Sequence, residues 1–585
     1  MQMKSSQLLA IGLLVLVSTA QAAKHEAGED ANFRRIYEQE WKWRQSSALS
    51  DDPENRGDQE SGLPRVNAAS QKKALTYWQA VMRKLDRIDV HQLTPEAQTN
   101  YQIYRYQLQV LIEQIRFKDY EMPLNADTAF WSQPADEAKY PFVSEKRVMQ
   151  YLAELRDIPR YFDEQMVNMR AGLARGFTPA RVTLQGREVS ILALIDISDP
   201  KETAFFKPFK QLPGTISPAR KQALRDEAEH VIQATVLPAY RKLLTFVRDE
   251  YIPHTRETLG ARDLPEGMTY YRSKIREFTT LDLSPESIHQ TGLAEMASIR
   301  NEMHETMRKA GFEGDLPQFL QFLRTDQQFY AKTPDELLKQ AAWIAKKFDA
   351  KAYRYFGYLP RMRFGIYPVP ADQAPFYTSG RGGPGEYLVN TWNLPSRALY
   401  SLPALTLHES APGHAFQMPI AMEQKSFPAF RGAYISAYGE GWALYCERLG
   451  VEMGMYDTPY EVFGMLSYQA WRAARLVVDT GIHAMGWTRE QAQAYLRDNT
   501  ALSDHEIETE VDRYISWPGQ ALSYYLGEMT MFKVRRHAEQ ALGDKFDLRN
   551  FHDTVLQLGS VPLPVLEARI ERFIKDKGKS PYPKR

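Results

Sequence analysis

Apolar residues recur at intervals of three and four along much of this chain. The segments SQKKALTYWQAVMRKLDRI (70–88), TPEAQTNYQIYRYQLQVLIEQIRF (94–117) and SPARKQALRDEAEHVIQATVLPAYRKLLTFVRDEYI (217–252) all carry this spacing, which predicts helices that each bury one stripe. Thr94, Ser217, Ser284 and Thr333 each stand immediately before a proline, a pairing that caps a helix and fills its first turn. The same texture runs through 283–311 and 333–356, so the N-terminal half reads as a helical layer.

Between residues 360 and 395 the pattern changes. Proline, glycine and aromatics become frequent, and two short strand-like pieces emerge, RFGIYPV (363–369) and EYLVNTW (386–392), as expected of a small sheet beside an active-site cleft. Helices resume near Leu402. At 585 residues the chain exceeds the length at which one core stops growing. The expected architecture is mainly α in two lobes: a helical N-terminal lobe over 23–356, and a lobe over 357–585 holding the small sheet, the C-terminal helices and the candidate chemistry.

The first 22 residues combine Lys4, an apolar run from Leu8 to Val17 and the small-residue stretch Ala20-Gln21-Ala22. This is the pattern of a secretory signal peptide cleaved after Ala22, the run being short for a bilayer span. The mature chain is therefore expected in a periplasm or secreted, with no stable membrane insertion. The 73 basic residues balance 73 acidic ones, which removes any electrostatic case for a nucleic-acid partner. The one cysteine, Cys446, excludes an intrachain disulfide framework and reads as a buried thiol.

The chemistry centres on HESAPGH, residues 408–414. Two histidines with a glutamate beside the first are the residue types of a catalytic zinc site, but in the common H-E-x-x-H form the histidines are four apart. Here they are six apart. On a regular helix such positions point about 120° away from each other, so both reach one ion only if the backbone deforms between them. Pro412, without an N–H, and Gly413, tolerant of unusual backbone angles, stand where that must happen. The spacing predicts a bulge within a continuous helix.

A catalytic zinc of this class takes three protein ligands and leaves one position open. Glu440, in AYGEGWALYCERLG, is the expected third ligand with His408 and His414, its neighbours Gly439 and Gly441 permitting close approach to the first helix. Glu447, two turns on along the same face, is the candidate for orienting a histidine from behind. One zinc per chain is expected. Glu409 is placed as general base, taking a proton from a water that zinc acidifies and passing it to the leaving amine. Tyr524 and Tyr525 are candidate donors to the developing oxyanion, Arg513 and Tyr514 candidates for holding a substrate carboxylate, and Asn390 a substrate contact on a strand whose edge receives an extended peptide. His483 reads as a helix histidine with satisfied nitrogens.

With these residues in view, LHESAPGHAFQ, AYGEGWALYCERLG, LVVDTGIHAMGWT and YISWPGQALSYYLGE resemble the bacterial family called domain of unknown function 885 over most of the mature chain. Members resemble zinc metallopeptidases of the gluzincin type, distantly similar to angiotensin-converting-enzyme-like and oligopeptidase-like peptidases. The resemblance implies a zincin-like helical fold with a deep channel, His408, His414 and Glu440 as metal ligands and Glu409 as catalytic carboxylate. The expected activity is zinc-dependent hydrolysis of short peptides. The alternatives are another zinc-dependent amide hydrolase and a non-catalytic helical metal-binding protein.

Overall fold

The computed structural model describes residues 28–45, 62–139, 141–371 and 374–583; the leader and its cleavage after Ala22 lie outside them. The described chain is mainly helical with one small three-stranded sheet. Among the described residues no helix is long and apolar enough to cross a membrane. Contacts divide the chain into two compact units, one ending at Glu257 and the other beginning at Thr258.

In the first unit the helices start where capping side chains stand. Asn67, Thr94, Ser144 and Ser217 each accept a hydrogen bond from the backbone N–H three residues on, a contact worth about 1 kcal/mol at each start. The helix from Pro218 widens into π turns at Ile232–Val236 and Phe246–Tyr251. Pro238 and Pro253 follow these turns, and a wider turn accommodates the donor that proline lacks. The apolar stripes meet in a core that includes Trp131, Tyr151, Phe162 and Tyr240.

In the second unit seven helices bear on the site: α1 Pro285–Lys309, α2 Leu402–Glu409, α3 His414–Met422, α4 Ser436–Glu452, α5 Pro459–Met485, α6 Asp504–Ser516 and α7 Ser523–Leu542. Helix α5 is buried on all sides from Phe463 to Ala470 and again from Arg472 to His483, as befits a helix at the centre of its unit. Two close approaches set its surroundings. A Cβ on Gly292 of α1 would lie 2.8 Å from Leu476 and Val477 of α5, and one on Gly527 of α7 would lie 2.1 Å from the carbonyl of Ala437 in α4. The backbones of α4 and α7 therefore touch. Cys446 lies buried in α4.

The sheet comprises β1 Gly365–Pro368, β2 Gly380–Gly383 and β3 Glu386–Val389. Its order is β1-β3-β2, with β3 parallel to β1 and antiparallel to β2. Two of these strands match the expected pieces. The third, Gly-Arg-Gly-Gly, carries almost no side-chain signal for a strand. It also corrects one expectation: β3, read as a free edge for an extended peptide, is the central strand, with both sides already paired.

The α4–α7 contact leaves no room for a methyl group. Gly527→Ala is expected to cost about 1–3 kcal/mol, the scale of overpacking, seen as a lower urea midpoint. Parent-like stability would contradict backbone contact between these helices.

Candidate metal centre

Helix α2 ends at Glu409 rather than bulging. The Ser410 N–H and hydroxyl both bond the Thr406 carbonyl, at 2.9 and 2.6 Å, the Ala411–Pro412 peptide is cis, and the Gly413 N–H returns to the Leu407 carbonyl at 3.0 Å. Helix α3 then begins at His414. The expected bulge inside one helix is thus a break between two. Gly413 is required by space, since a Cβ there would lie 1.8 Å from the His408 carbonyl oxygen, and only glycine lets the chain pass so close. From α4, Trp442 Nε1 donates to the Pro412 carbonyl at 2.9 Å and pins the break. The break brings the His408 and His414 rings to 5.0 Å between centroids, at 84°.

Glu440 closes the cluster. Its Oε2 lies 3.5 Å from His408 Nε2 and 3.4 Å from His414 Nε2. Ligands at zinc-like bond lengths of 2.0–2.1 Å in a tetrahedron stand roughly 3.3 Å apart, so these separations fit a shared ion. Ligand atoms of His408, Glu409 and His414 also lie within 4.8 Å of one another, which makes Glu409 a rival for the third position. Its carboxylate is engaged elsewhere: Oε2 accepts the Gly382 N–H at 2.7 Å. A Cβ on Gly382 would lie 1.7 Å from the Glu409 carbonyl, so β2 lies directly against the end of α2. The strand missed in the sequence is the one that holds Glu409.

Behind the cluster, His408 Nδ1 lies 2.7 Å from Oε1 of the fully buried Glu447. This bond fixes the ring and directs Nε2 toward Glu440. His414 Nδ1 is buried without a protein partner. Burial opposes charge on His408, but bonds to Glu440 and Glu447 outweigh it and push its pKa up to about 10. Burial would likewise raise Glu440, yet the two histidines hold it well below the usual carboxylate range. The pocket thus favours positive charge among its carboxylates.

Tyr434 is the contact that sequence reasoning missed. Its hydroxyl donates to Glu440 Oε1 at 2.9 Å, leaving Oε2 to face the histidines. A Cβ on Gly439 would lie 2.3 Å from that hydroxyl, and one on Gly441 2.5 Å from the backbone of Gly527. The glycines flanking Glu440 therefore make room for Tyr434 and for α7, not for the first helix as expected. Tyr434 is 46% exposed as a residue, but desolvation of its hydroxyl, and after it Glu440 and Tyr524, raise its pKa, which puts Tyr524 within electrostatic reach of that hydroxyl. No motif spacing marks Tyr434, which precedes α4.

The remaining sequence candidates divide. Tyr524 lies half-buried with its ring 4.4 Å from the Arg475 guanidinium. Tyr525 points elsewhere, its hydroxyl donating to Glu295 on α1 at 2.9 Å. Asn390 is fully buried and holds the preceding loop: its Nδ2 donates to the carbonyls of Ala374, Tyr377 and Thr378, and its Oδ1 accepts from the Trp392 N–H. Arg513 donates to Gln520 and lies 3.6 Å from Glu510. Tyr514 is buried, its hydroxyl accepting from Trp471 Nε1 and Arg475 Nε, each at 3.0 Å. His483 has both ring nitrogens bonded, to the Ala261 N–H and the Tyr514 carbonyl.

Fold and site together define a mainly helical protein in which two buried histidines and a partly buried carboxylate converge. The chain belongs to the family of bacterial proteins of unknown function DUF885, whose model matches residues 53–570. It is similar, at 25% identity and a TM-score of 0.82, to a crystal structure from Colwellia psychrerythraea provisionally described as a lipoprotein, covering 94% of this chain and 99% of that one. A second structure, from Shewanella oneidensis and provisionally described as a lipoprotein of unknown function, shares the fold at 20% identity and a TM-score of 0.69, over 92% of this chain and 98% of its own. No curated protein matches the chain.

Glu440→Ala should lose most of the about one zinc per chain expected of the parent on dialysis against a weak chelator, measured by elemental analysis; full retention would move the third ligand elsewhere. Glu528 on α7 is buried, and burial, opposed by Arg448 and reinforced by Glu447, pushes its pKa up from 4.5 to about 8. Between those values the folded state keeps a proton that the unfolded state has released, so this group's contribution to stability falls as pH rises. Asp479, pushed up to about 7 by burial, acts in the same direction and stays in the variant. Unfolding of Glu528→Gln should therefore compare more favourably with the parent at pH 8 than at pH 5, and a pH-independent difference would contradict the assignment.

Proposed function

We propose that this protein is a zinc-dependent peptidase of zincin-like type, acting on short peptides outside the cytoplasm. The observation that carries the reading is one carboxylate oxygen, Glu440 Oε2, 3.5 and 3.4 Å from two imidazole nitrogens, with a second carboxylate beside it that a backbone amide holds in place. The residues fit zinc by donor type, number and spacing. His408, His414 and Glu440 would hold the ion, which supplies Lewis-acid charge to a carbonyl and acidifies water.

The chain's own groups supply the rest. Glu447 keeps His408 in the tautomer whose Nε2 is free to ligate. Glu409 follows a ligand directly, so on its helix it points about 100° from that ligand's direction. With Oε2 anchored by Gly382, its other oxygen takes a proton from water and returns it to the leaving amine. Tyr524 offers the hydroxyl for a developing oxyanion, in place of Tyr525, which is engaged with Glu295, while Tyr434 spends its proton on Glu440. The setting outside the cytoplasm rests on the leader-like first 22 residues, and the description of the two structural relatives as lipoproteins supports it.

Glu409→Gln keeps size and hydrogen bonding but removes the base. It should bind zinc like the parent and lose hydrolysis of a mixed-peptide digest, read by mass spectrometry, by a factor on the order of 10² to 10⁴. Parent-like hydrolysis with normal zinc would remove Glu409 from the mechanism. No hydrolysis by the zinc-loaded parent across a broad mixture would favour a different amide substrate or a non-catalytic metal site.

A further inference from the structure

One face of α5 carries two arginines into the interior. Arg475 is 1% exposed and paired: its Nη2 bonds Glu510 at 2.9 Å, and its Nε donates to the Tyr514 hydroxyl. Arg472, one turn earlier and 5% exposed, has no such partner. Its guanidinium lies 3.9 Å from the Trp471 ring centroid and 4.6 Å from that of Tyr468. Its Nε and Nη1 are buried with no acceptor, as is Nη1 of Arg475, and no carboxylate among the described residues forms an ion pair with Arg472.

Neighbouring charges do not compensate. Glu510 serves Arg475 and lies 3.6 Å from Arg513, while Glu506 lies 3.9 Å from Arg397. A buried charge without a counterion is strongly unfavourable, and aromatic stacking offsets only part of it. A buried guanidinium set in the corner of two near-perpendicular rings, with its Nε and Nη1 unmatched, is organised to receive an anion, and its planar fork matches a carboxylate in two-point contact.

Geometry carries Arg475 toward the cluster: Gly527, one turn beyond Tyr524 on α7, touches the backbone of Gly441 beside Glu440. Tyr468 feels both Arg472 and Glu447, the residue that orients His408. Arg475 stacks on Tyr524, which lies within electrostatic reach of Tyr434, the donor to Glu440.

Resting on the peptidase reading above, we propose that Arg472, with Arg475, which shares the Trp471 ring with it, binds the terminal α-carboxylate of a peptide, so that the protein trims short peptides from their C-terminal end. Trp471 and Tyr468 form the walls around that carboxylate. This role replaces the one expected of Arg513 and Tyr514: Tyr514 instead accepts from Arg475, and Arg513 lies against Glu510.

The test is binding rather than turnover. Zinc-loaded Glu409→Gln protein is dialysed to equilibrium against a mixture of acetylated tetrapeptides varied at the last residue, each as free acid and as amide, with bound peptide read by mass spectrometry. The acids should bind at least about tenfold more tightly than their amides, the scale of one charge-assisted contact. Arg472→Met on the same background should erase that preference while leaving amide binding in place, and Arg472→Lys should keep part of it. Equal binding of acids and amides when Arg472 is intact, or binding of neither, overturns the proposal whether or not the substituted variants fold. Acid preference without hydrolysis by the parent would keep this site and remove the peptidase reading. Hydrolysis of amides as fast as acids would do the reverse.

Discussion

The site depends on one oxygen. Glu440 Oε2 faces two imidazoles that come from different helices, and it does so only because the chain breaks between them. If α2 ran on through residues 410–413, His414 would point away from His408 and Glu440 would have one partner. The break itself rests on contacts from elsewhere: Gly413 passing over the His408 carbonyl, Trp442 holding Pro412, and Gly382 seated against Glu409. Helix α4 supplies Glu440, Trp442 and Glu447, so its placement, through backbone contact with α7, governs the whole cluster.

What could be read in the sequence follows from what is local. Helix starts at Thr94, Ser217, Ser284 and Thr333 are visible because a cap and a following proline act within one turn. His408, His414, Glu440 and Glu447 come together; an offset of seven along α4 places the two carboxylates on one face whatever surrounds them, whereas the glycines read as bringing Glu440 to the first helix serve Tyr434 and α7 instead. The manner of the deformation was not legible. Pro-Gly signals disruption, but a bulge and a break between helices share that signal, and tertiary contacts decide between them.

Other features depend on partners far away in the chain. Strand β2 has glycine at three of four positions, so only its pairing with β3 identifies it, yet it holds Glu409. Tyr434 and Arg472 carry no motif: one matters through a hydroxyl aimed at Glu440, the other through the absence of a carboxylate in a buried place. Asn390 and Tyr525 look like site residues beside their motifs but spend their polar atoms on a loop and on Glu295. Polar residue type alone does not separate a side chain that awaits a ligand from one already satisfied.

The central claim is that two histidines and Glu440, not Glu409, form the metal-binding set. Anomalous scattering at the zinc edge, from a crystal grown with the metal, tests it most directly. The account predicts one peak at about 2.0–2.2 Å from His408 Nε2, His414 Nε2 and a Glu440 oxygen, with Glu409 farther off and still bonded to Gly382. A peak coordinated by Glu409 in place of Glu440, or zinc bound away from these residues, would contradict it.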